Sequence, residues 1–230
     1  MNILVINGNP KRGGFTEEVL DMASSYLKEK GAETETIRLA DAHIQDCIGC
    51  FNCLRTGKCV LEDDTENIIQ KMKEADGFVI GSPVRNGLPT ACYKRFCERI
   101  TYTLGFPLAL ENKYTVAIAS VGFMGGRSVS RRMNGLQGVF HTRLSGFIFC
   151  PVGIPAKVKA ADIKERLEKK LDHLVEDIDD LRPRPLIDRI SFLLDRIVLR
   201  KFMFEKHPDV YANVIQNWVT KGYMSDTRMK

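Results

Sequence analysis

No stretch of the chain stays apolar for anything near the roughly 18 residues that a bilayer-spanning helix needs, so no membrane span is expected. A signal peptide is lacking as well. MNILVING opens directly on a strand-like run, without a basic leader ahead of a longer apolar stretch, and a cytoplasmic protein is expected. No basic block is present. Net charge is only +5, and Lys and Arg are interleaved with Asp and Glu nearly everywhere, the pattern of a solvated surface. Together with the lack of any DNA-reading motif, this argues against a nucleic-acid partner and leaves a modest preference for an acidic electron carrier or an anionic cofactor. There is no internal repeat, no low-complexity segment and no Ser/His/Asp or Cys/His constellation. Hydrolysis is therefore not expected, and no catalytic acid–base residue is assigned.

What is present reads as an α/β protein. A chain of 230 residues with 44% hydrophobic and 27% charged residues is ordinary for a globular protein and within reach of a single core. Asn2–Ile6 is a short buried strand followed at once by a Gly-rich loop. Thr16 is placed as a helix N-cap, with Glu17 and Glu18 at the positive end of a helix running to Lys30 and stopped by Gly31. Thr34–Leu39 suits a second strand, and Asp63 and Asp64 open a helix ending near Glu74. Gly77–Gly81 is a third strand, ended by Ser82-Pro83, and a helix follows over 90–102. Tyr114–Ser120, a Gly-containing loop over 122–126, a helix over 127–140 and a strand at Leu144–Phe149 complete five alternations. Val158–Leu181 is a long charged amphipathic helix. Such an order implies a five-stranded parallel sheet with helices on both faces. Ligands of such sheets bind beyond the carboxyl ends of the strands, where Asn7–Phe15, Ser82–Pro89 and Val121–Gly126 form loops of small and polar residues.

After Pro183 and Pro185 the chain changes character, which divides it into residues 1–182 and a helical extension, 183–230. Leu186–Phe204 is an apolar helix broken by Asp188, Arg189, Asp195, Arg196, Arg200 and Lys201. Its apolar set is wider than one face of a surface helix. It packs on the body of its own subunit, forms a subunit interface, or lies on a membrane surface. The interface is preferred because five alternations already complete the sheet.

The first loop, NGNPKRGGFT from Asn7 to Thr16, joins a strand to a helix N-terminus, whose unpaired N–H groups favour a phosphate. Gly8, Gly13 and Gly14 permit close backbone approach, Asn9 and Thr16 offer side-chain donors, and Lys11 or Arg12 adds charge. Neither the Walker order nor the dinucleotide fingerprint is there, so a monophosphate ligand fits best.

Seven cysteines are present, and four lie within thirteen residues as Cys47, Cys50, Cys53 and Cys59, the pattern C-x2-C-x2-C-x5-C. In a reducing compartment, clustered thiols point to metal or redox chemistry rather than disulfides. Three thiolates at three-residue intervals with a fourth nearby suit the corners of an iron–sulfur cubane. Structural zinc is the rival, although its sites more often use two well-separated C-x2-C pairs. A redox thiol pair is the third reading. The segment reads as loop, with Gly49 and Gly57 giving it freedom to wrap. Cys92, Cys97 and Cys150 read as small buried residues, and His43 as a surface histidine.

The combination resembles the iron–sulfur flavoproteins of the NADPH-dependent FMN reductase group, in the flavodoxin-like superfamily. NGNPKRGGFT, CIGCFNCLRTGKCVLEDD, GSPVRNGLPTACYKRFCER and SVGFMGG carry the resemblance over roughly residues 1–155. Tyr211, Trp218 and Gly222 are similar to the family's terminal segment. The resemblance implies a flavodoxin-like fold, one FMN and one [4Fe-4S] cluster per chain, and a homodimer or homotetramer. It puts the FMN phosphate on Asn9, Lys11 and Thr16, beside Gly14 and Phe15. The isoalloxazine is lined by Ser82, Pro83, Val84, Arg85, Asn86 and Gly87, with Ser120, Val121 and Gly122 on its other side. The metal ligands are Cys47, Cys50, Cys53 and Cys59. Two departures stand out: Arg85 and Asn86 replace aromatic residues usual in relatives, and Phe15 stands where Asn is common. The implied activity is electron relay from a ferredoxin-like one-electron donor through cluster and flavin to an acceptor. The alternatives are an NAD(P)H-dependent FMN or quinone reductase and, from another class, a non-catalytic redox sensor or binding module.

Overall fold

The computed structural model describes residues 1–122, 129, 142–154 and 156–225. Apart from Val129, the expected helix over 127–140 lies outside the described residues, as does most of the loop over 122–126.

Five parallel strands form the centre of the fold: β1 (Asn2–Asn7), β2 (Glu33–Arg38), β3 (Gly77–Arg85), β5 (Tyr114–Val121) and β6 (Arg143–Pro151). Their spatial order is β2-β1-β3-β5-β6, the order of a flavodoxin-like sheet, as expected. A two-residue strand, β4 (Leu88–Pro89), pairs antiparallel with Val84 and Arg85 of β3.

Alternation along the strands builds two cores. Ile3 and Val5 of β1 face α1 (Phe15–Glu29) and α5 (Lys164–Asp179), where Val19, Leu20, Leu27, Leu167, Leu171 and Leu174 are buried. Leu4 and Ile6 face the opposite side, against Ile68, Ile69 and Met72 of α3 (Thr65–Glu74) and Phe96 and Ile100 of α4 (Ala91–Ile100). The central strands β1, β3 and β5 are thus buried on both faces and read as apolar runs, whereas the edge strand β2, ETETIR, is polar and largely exposed.

Several boundaries differ from the sequence expectation. Thr16 does not cap α1, because Gly14 is the N-cap residue and Thr16 sits inside the first turn. Its hydroxyl instead pairs with Ser120 Oγ at 2.7 Å, tying α1 to the end of β5. Strand β3 does not end at Ser82-Pro83 but runs on to Arg85, because Asn86 and Gly87, at φ 48° and 71°, turn the chain into the hairpin with β4. Positive φ at both central residues is the requirement of a type I′ turn. The cysteine segment is not all loop, since Asn52–Thr56 forms a short helix, α2, between left-handed residues Phe51 and Gly57. The long helix expected from Val158 begins as a 3-10 turn at Ala160–Ile163.

The extension after Pro185 comprises α6 (Leu186–Leu199), a π turn at Arg200–Phe204 and α7 (Ala212–Thr220). It builds a third core, in which Leu54 of α2 and Leu108 are buried with Phe204, Val214, Ile215 and Trp218. Trp218 is 1% exposed and donates its indole N–H to the Phe106 carbonyl at 2.7 Å. At the C-terminal end of α2 Gly57 adopts φ 79°, which favours glycine, and a Cβ there would meet the Asn213 side chain at 2.8 Å. The extension is therefore the floor on which the cysteine segment rests.

Only one side of α6 joins that core. Phe192, Leu199 and Met203 pack partly against it, and the Arg196 guanidinium lies 3.7 Å from the Tyr223 ring centroid. The opposite side exposes Leu186, Ile187, Ile190, Leu193, Leu194, Ile197 and Val198, each by half or more. Packing on the body of the subunit accounts for one face of this helix and not for the other.

Candidate functional site

The carboxyl ends of β1, β3, β5 and β6 open into a cleft of about 610 Å³, within the usual size for a small-molecule site. Asn9, Lys11, Gly14, Phe15 and Thr16 form its first wall, and Pro83, Val84, Arg85, Asn86 and Gly87 its second. Ser120, Val121 and Gly122 lie between them. Ser82 does not line the cleft. It is buried behind it, with its hydroxyl directed to the Pro83 carbonyl at 3.0 Å and Thr90 Oγ1 at 3.3 Å. Val152, Gly153 and Ile154, after β6, complete the lining and were not anticipated. Their position one strand beyond β5, at the same sheet edge, was the signal that could have found them.

The first loop is held from inside. Gly8 N–H donates to the Gly81 carbonyl at 2.7 Å, and a Cβ at Gly8 would press on that oxygen and on Tyr93 Cβ at 3.1 Å. Asn7 Oδ1 accepts the Asn9 N–H at 2.8 Å, and Asn9 Oδ1 accepts the Lys11 N–H at 3.2 Å. The start of α1, Gly14, Phe15 and Thr16, lines the cleft, where the helix dipole favours an anion. Of the two candidate cations, Lys11 lines the cleft, whereas Arg12 pairs with Asp41 at 2.6 Å outside it.

A second site lies at the other end of α4. Thr90, the N-cap of that helix, accepts the Tyr93 N–H and donates to the Gly8 carbonyl at 2.6 Å. At the far end of that helix, after about 15 Å, Arg99 and Tyr102 line a small pocket with Cys47, Cys50, Cys53 and Cys59. All four cysteines are free thiols, the first two exposed and the others half-buried. Burial, and then the neighbouring Cys59, push the Cys53 thiol up to about 11. Among the described residues, no three His, Cys, Asp or Glu side chains converge as the ligands of a single ion would. His43 is exposed and does not line the pocket.

Arg99 escaped sequence reasoning, since one arginine on a helix carries no signal of its own. Its guanidinium is 1% exposed and forks onto Asp63, itself fully buried, while Nη2 lies 3.4 Å from Cys59 Sγ. Burial alone would raise the Asp63 carboxyl. The Arg99 guanidinium and the N–H groups of Gln45 and Thr65 instead hold it well below the usual carboxylate range. The remaining cysteines behave as small core residues. Burial pushes Cys97 up to about 12 and raises Cys150.

A family model described as NADPH-dependent FMN reductase matches residues 1–144. The chain belongs to that family. An iron–sulfur flavoprotein of Methanocaldococcus jannaschii is 40% identical over 119 residues, which cover 52% of this chain and 61% of that protein. The chain spans about three fifths of the length of that curated relative. An iron–sulfur flavoprotein of Clostridioides difficile is 25% identical over 230 residues, covering 96% of this chain and 99% of that protein. Among solved structures, a flavone reductase superposes with a TM-score of 0.63 at 19% identity, covering 80% of this chain and 65% of that one. At that identity the likeness concerns the fold alone. Among the described residues no helix is long and apolar enough to cross a membrane.

Proposed function

We propose that this chain is an FMN- and [4Fe-4S]-containing oxidoreductase that passes electrons between a one-electron donor of the ferredoxin kind and an acceptor. The observation that carries the reading is the pairing of two sites by one helix: α4 starts at the flavin loops and ends at a pocket lined by four free cysteines. Residues 1–182 carry both sites, and residues 183–230 are an extension that supports the second. The first-turn N–H groups of α1, with Asn9, Lys11, Gly14 and Thr16, bind and orient the FMN phosphate. The Pro83–Gly87 hairpin and Ser120–Gly122 enclose the ring, and Arg85 brings a positive charge to its side of the cleft. Cys47, Cys50, Cys53 and Cys59 hold the cluster. Four thiols at C-x2-C-x2-C-x5-C spacing lining one pocket support the cluster, since structural zinc more often uses two well-separated C-x2-C pairs. When bound, FMN exchanges one or two electrons and a cubane cluster one at a time, which suits transfer between donors of different kinds. A reducing cytoplasm fits the seven unpaired cysteines.

The family description supports a second reading, an NAD(P)H-dependent FMN or quinone reductase in which the cysteines are secondary. Anaerobic reductive titration separates the two. Reduced ferredoxin is expected to bleach both chromophores rapidly and NADPH to do so slowly. Rapid bleaching by NADPH alone would replace the first reading with the second.

The reading also includes a homodimer or homotetramer, with the outer face of α6 covered by a second copy. Seven large apolar residues are exposed by half or more along that face, and contiguous apolar surface of this kind marks an interaction site. The double variant Ile190→Glu/Leu194→Glu is expected to reduce the light-scattering mass to that of one chain. An unchanged oligomer would remove α6 from the interface. A wild-type monomer that sediments with anionic vesicles would assign the face to a membrane surface.

A further inference from the structure

Resting on the reading that the four cysteines hold a cluster, we infer that Arg99 is a positioning residue that sets the reduction potential of that site through Cys59. The arrangement is asymmetric. Arg99 Nη1 donates to Asp63 Oδ2 and to the Gln45 carbonyl at 2.9 Å, while Nη2 donates to Asp63 Oδ1 at 3.2 Å and to Cys59 Sγ at 3.4 Å. Asp63 is fixed in turn by the N–H groups of Gln45 at 2.8 Å and Thr65 at 2.9 Å. The carboxylate therefore orients the guanidinium, and one prong of its fork is left aimed at a ligand sulfur.

Removing two charges from water is costly, and neutral groups would hold the loop at lower cost. The charge has an electrostatic consequence that neutral groups would not. An N–H donor and a positive charge beside a thiolate ligand stabilise whichever form of the site carries more negative charge, which is the reduced form. Burial strengthens that effect, because no water screens it. Asp63 opposes it, since its negative charge lies on the same guanidinium.

The two members of the pair are therefore expected to act with opposite signs. Asp63→Asn leaves the Arg99 charge uncompensated and should raise the midpoint potential. Adding Arg99→Gln to it removes the charge and should lower the potential again. Each step is expected to change the reduction equilibrium at least tenfold, which is 59 mV for a one-electron couple. A brace that merely holds the loop would not invert the sign between these steps.

The test is a spectroelectrochemical titration of the anaerobically purified full chain, with iron and acid-labile sulfide measured on each sample. Opposite shifts at full iron content support the inference. Full iron content with potentials that stay put, or move the same way, overturns it and leaves the cluster reading intact. Wild-type protein without iron or sulfide overturns both. If Asp63→Asn does not retain iron, Arg99→Lys carries the test. Lysine keeps the charge near Asp63 but lacks the second prong, so a lowered potential supports the inference and an unchanged one overturns it.

Discussion

Trp218→Ala is expected to destabilise the protein by about 3–5 kcal/mol and, more tellingly, to accelerate loss of iron from the cysteine segment. The indole is 1% exposed, stacks edge-on against Phe204 at 4.9 Å between ring centroids and donates to the Phe106 carbonyl. Truncation to alanine leaves a large void and an unpartnered carbonyl at once. The void opens in the same core that buries Leu54, the one buried residue of α2, so the helix between Cys50 and Cys59 loses support. For a chain of this size the melting temperature should fall by roughly 2–4 °C per kcal/mol. Leu27→Ala supplies the control. Leu27 is fully buried in the core under the opposite face of the sheet. Its loss is expected to lower the melting temperature without changing the rate of iron release. Equal release from both variants at matched stability would mean that the extension supports the fold generally and not the cysteine segment.

Cys53→Ala is expected to abolish stable iron binding while leaving flavin at about one per chain. Cys53 is half-buried, lies on α2 beside Leu54 of the third core, and is the third of the four clustered cysteines. A cubane that lacks one thiolate has a corner open to water, and partly exposed clusters degrade from such corners. The cleft at the first loop shares no lining residue with the cysteine pocket, and α4 runs between them. Iron falling from about four per chain to well below one, with unaltered flavin absorbance, is the expected outcome. Loss of both cofactors together would show that the sites fold as a single unit.

The sheet and both flanking cores were legible because β1, β3 and β5 are apolar runs bounded by turn-forming residues, although β2, ETETIR, is polar. The first loop and the cysteine spacing were legible for a different reason, namely that their chemistry resides in residues adjacent in sequence. Other features depended on distant partners. Thr16 has the composition of an N-cap, but its hydroxyl is taken by Ser120, 104 residues away. The short helix α2 is too brief to show a period, and it exists because α7 packs on it. Arg99 acquires meaning only once Asp63 and Cys59 are folded beside it. The Asn86-Gly87 hairpin is a different case. An Asn-Gly pair after a strand is a strong local turn signal, and it was readable in GSPVRNGLP without any tertiary knowledge.

The central claim is that one chain carries a flavin and a four-cysteine cluster at opposite ends of α4. Iron, acid-labile sulfide, zinc and FMN content of anaerobically purified protein tests it most directly. The account predicts about four irons, about four sulfides and one FMN per chain, with no zinc. One FMN with zinc, or with neither metal nor sulfide, would contradict it and leave a flavin reductase whose cysteines do other work.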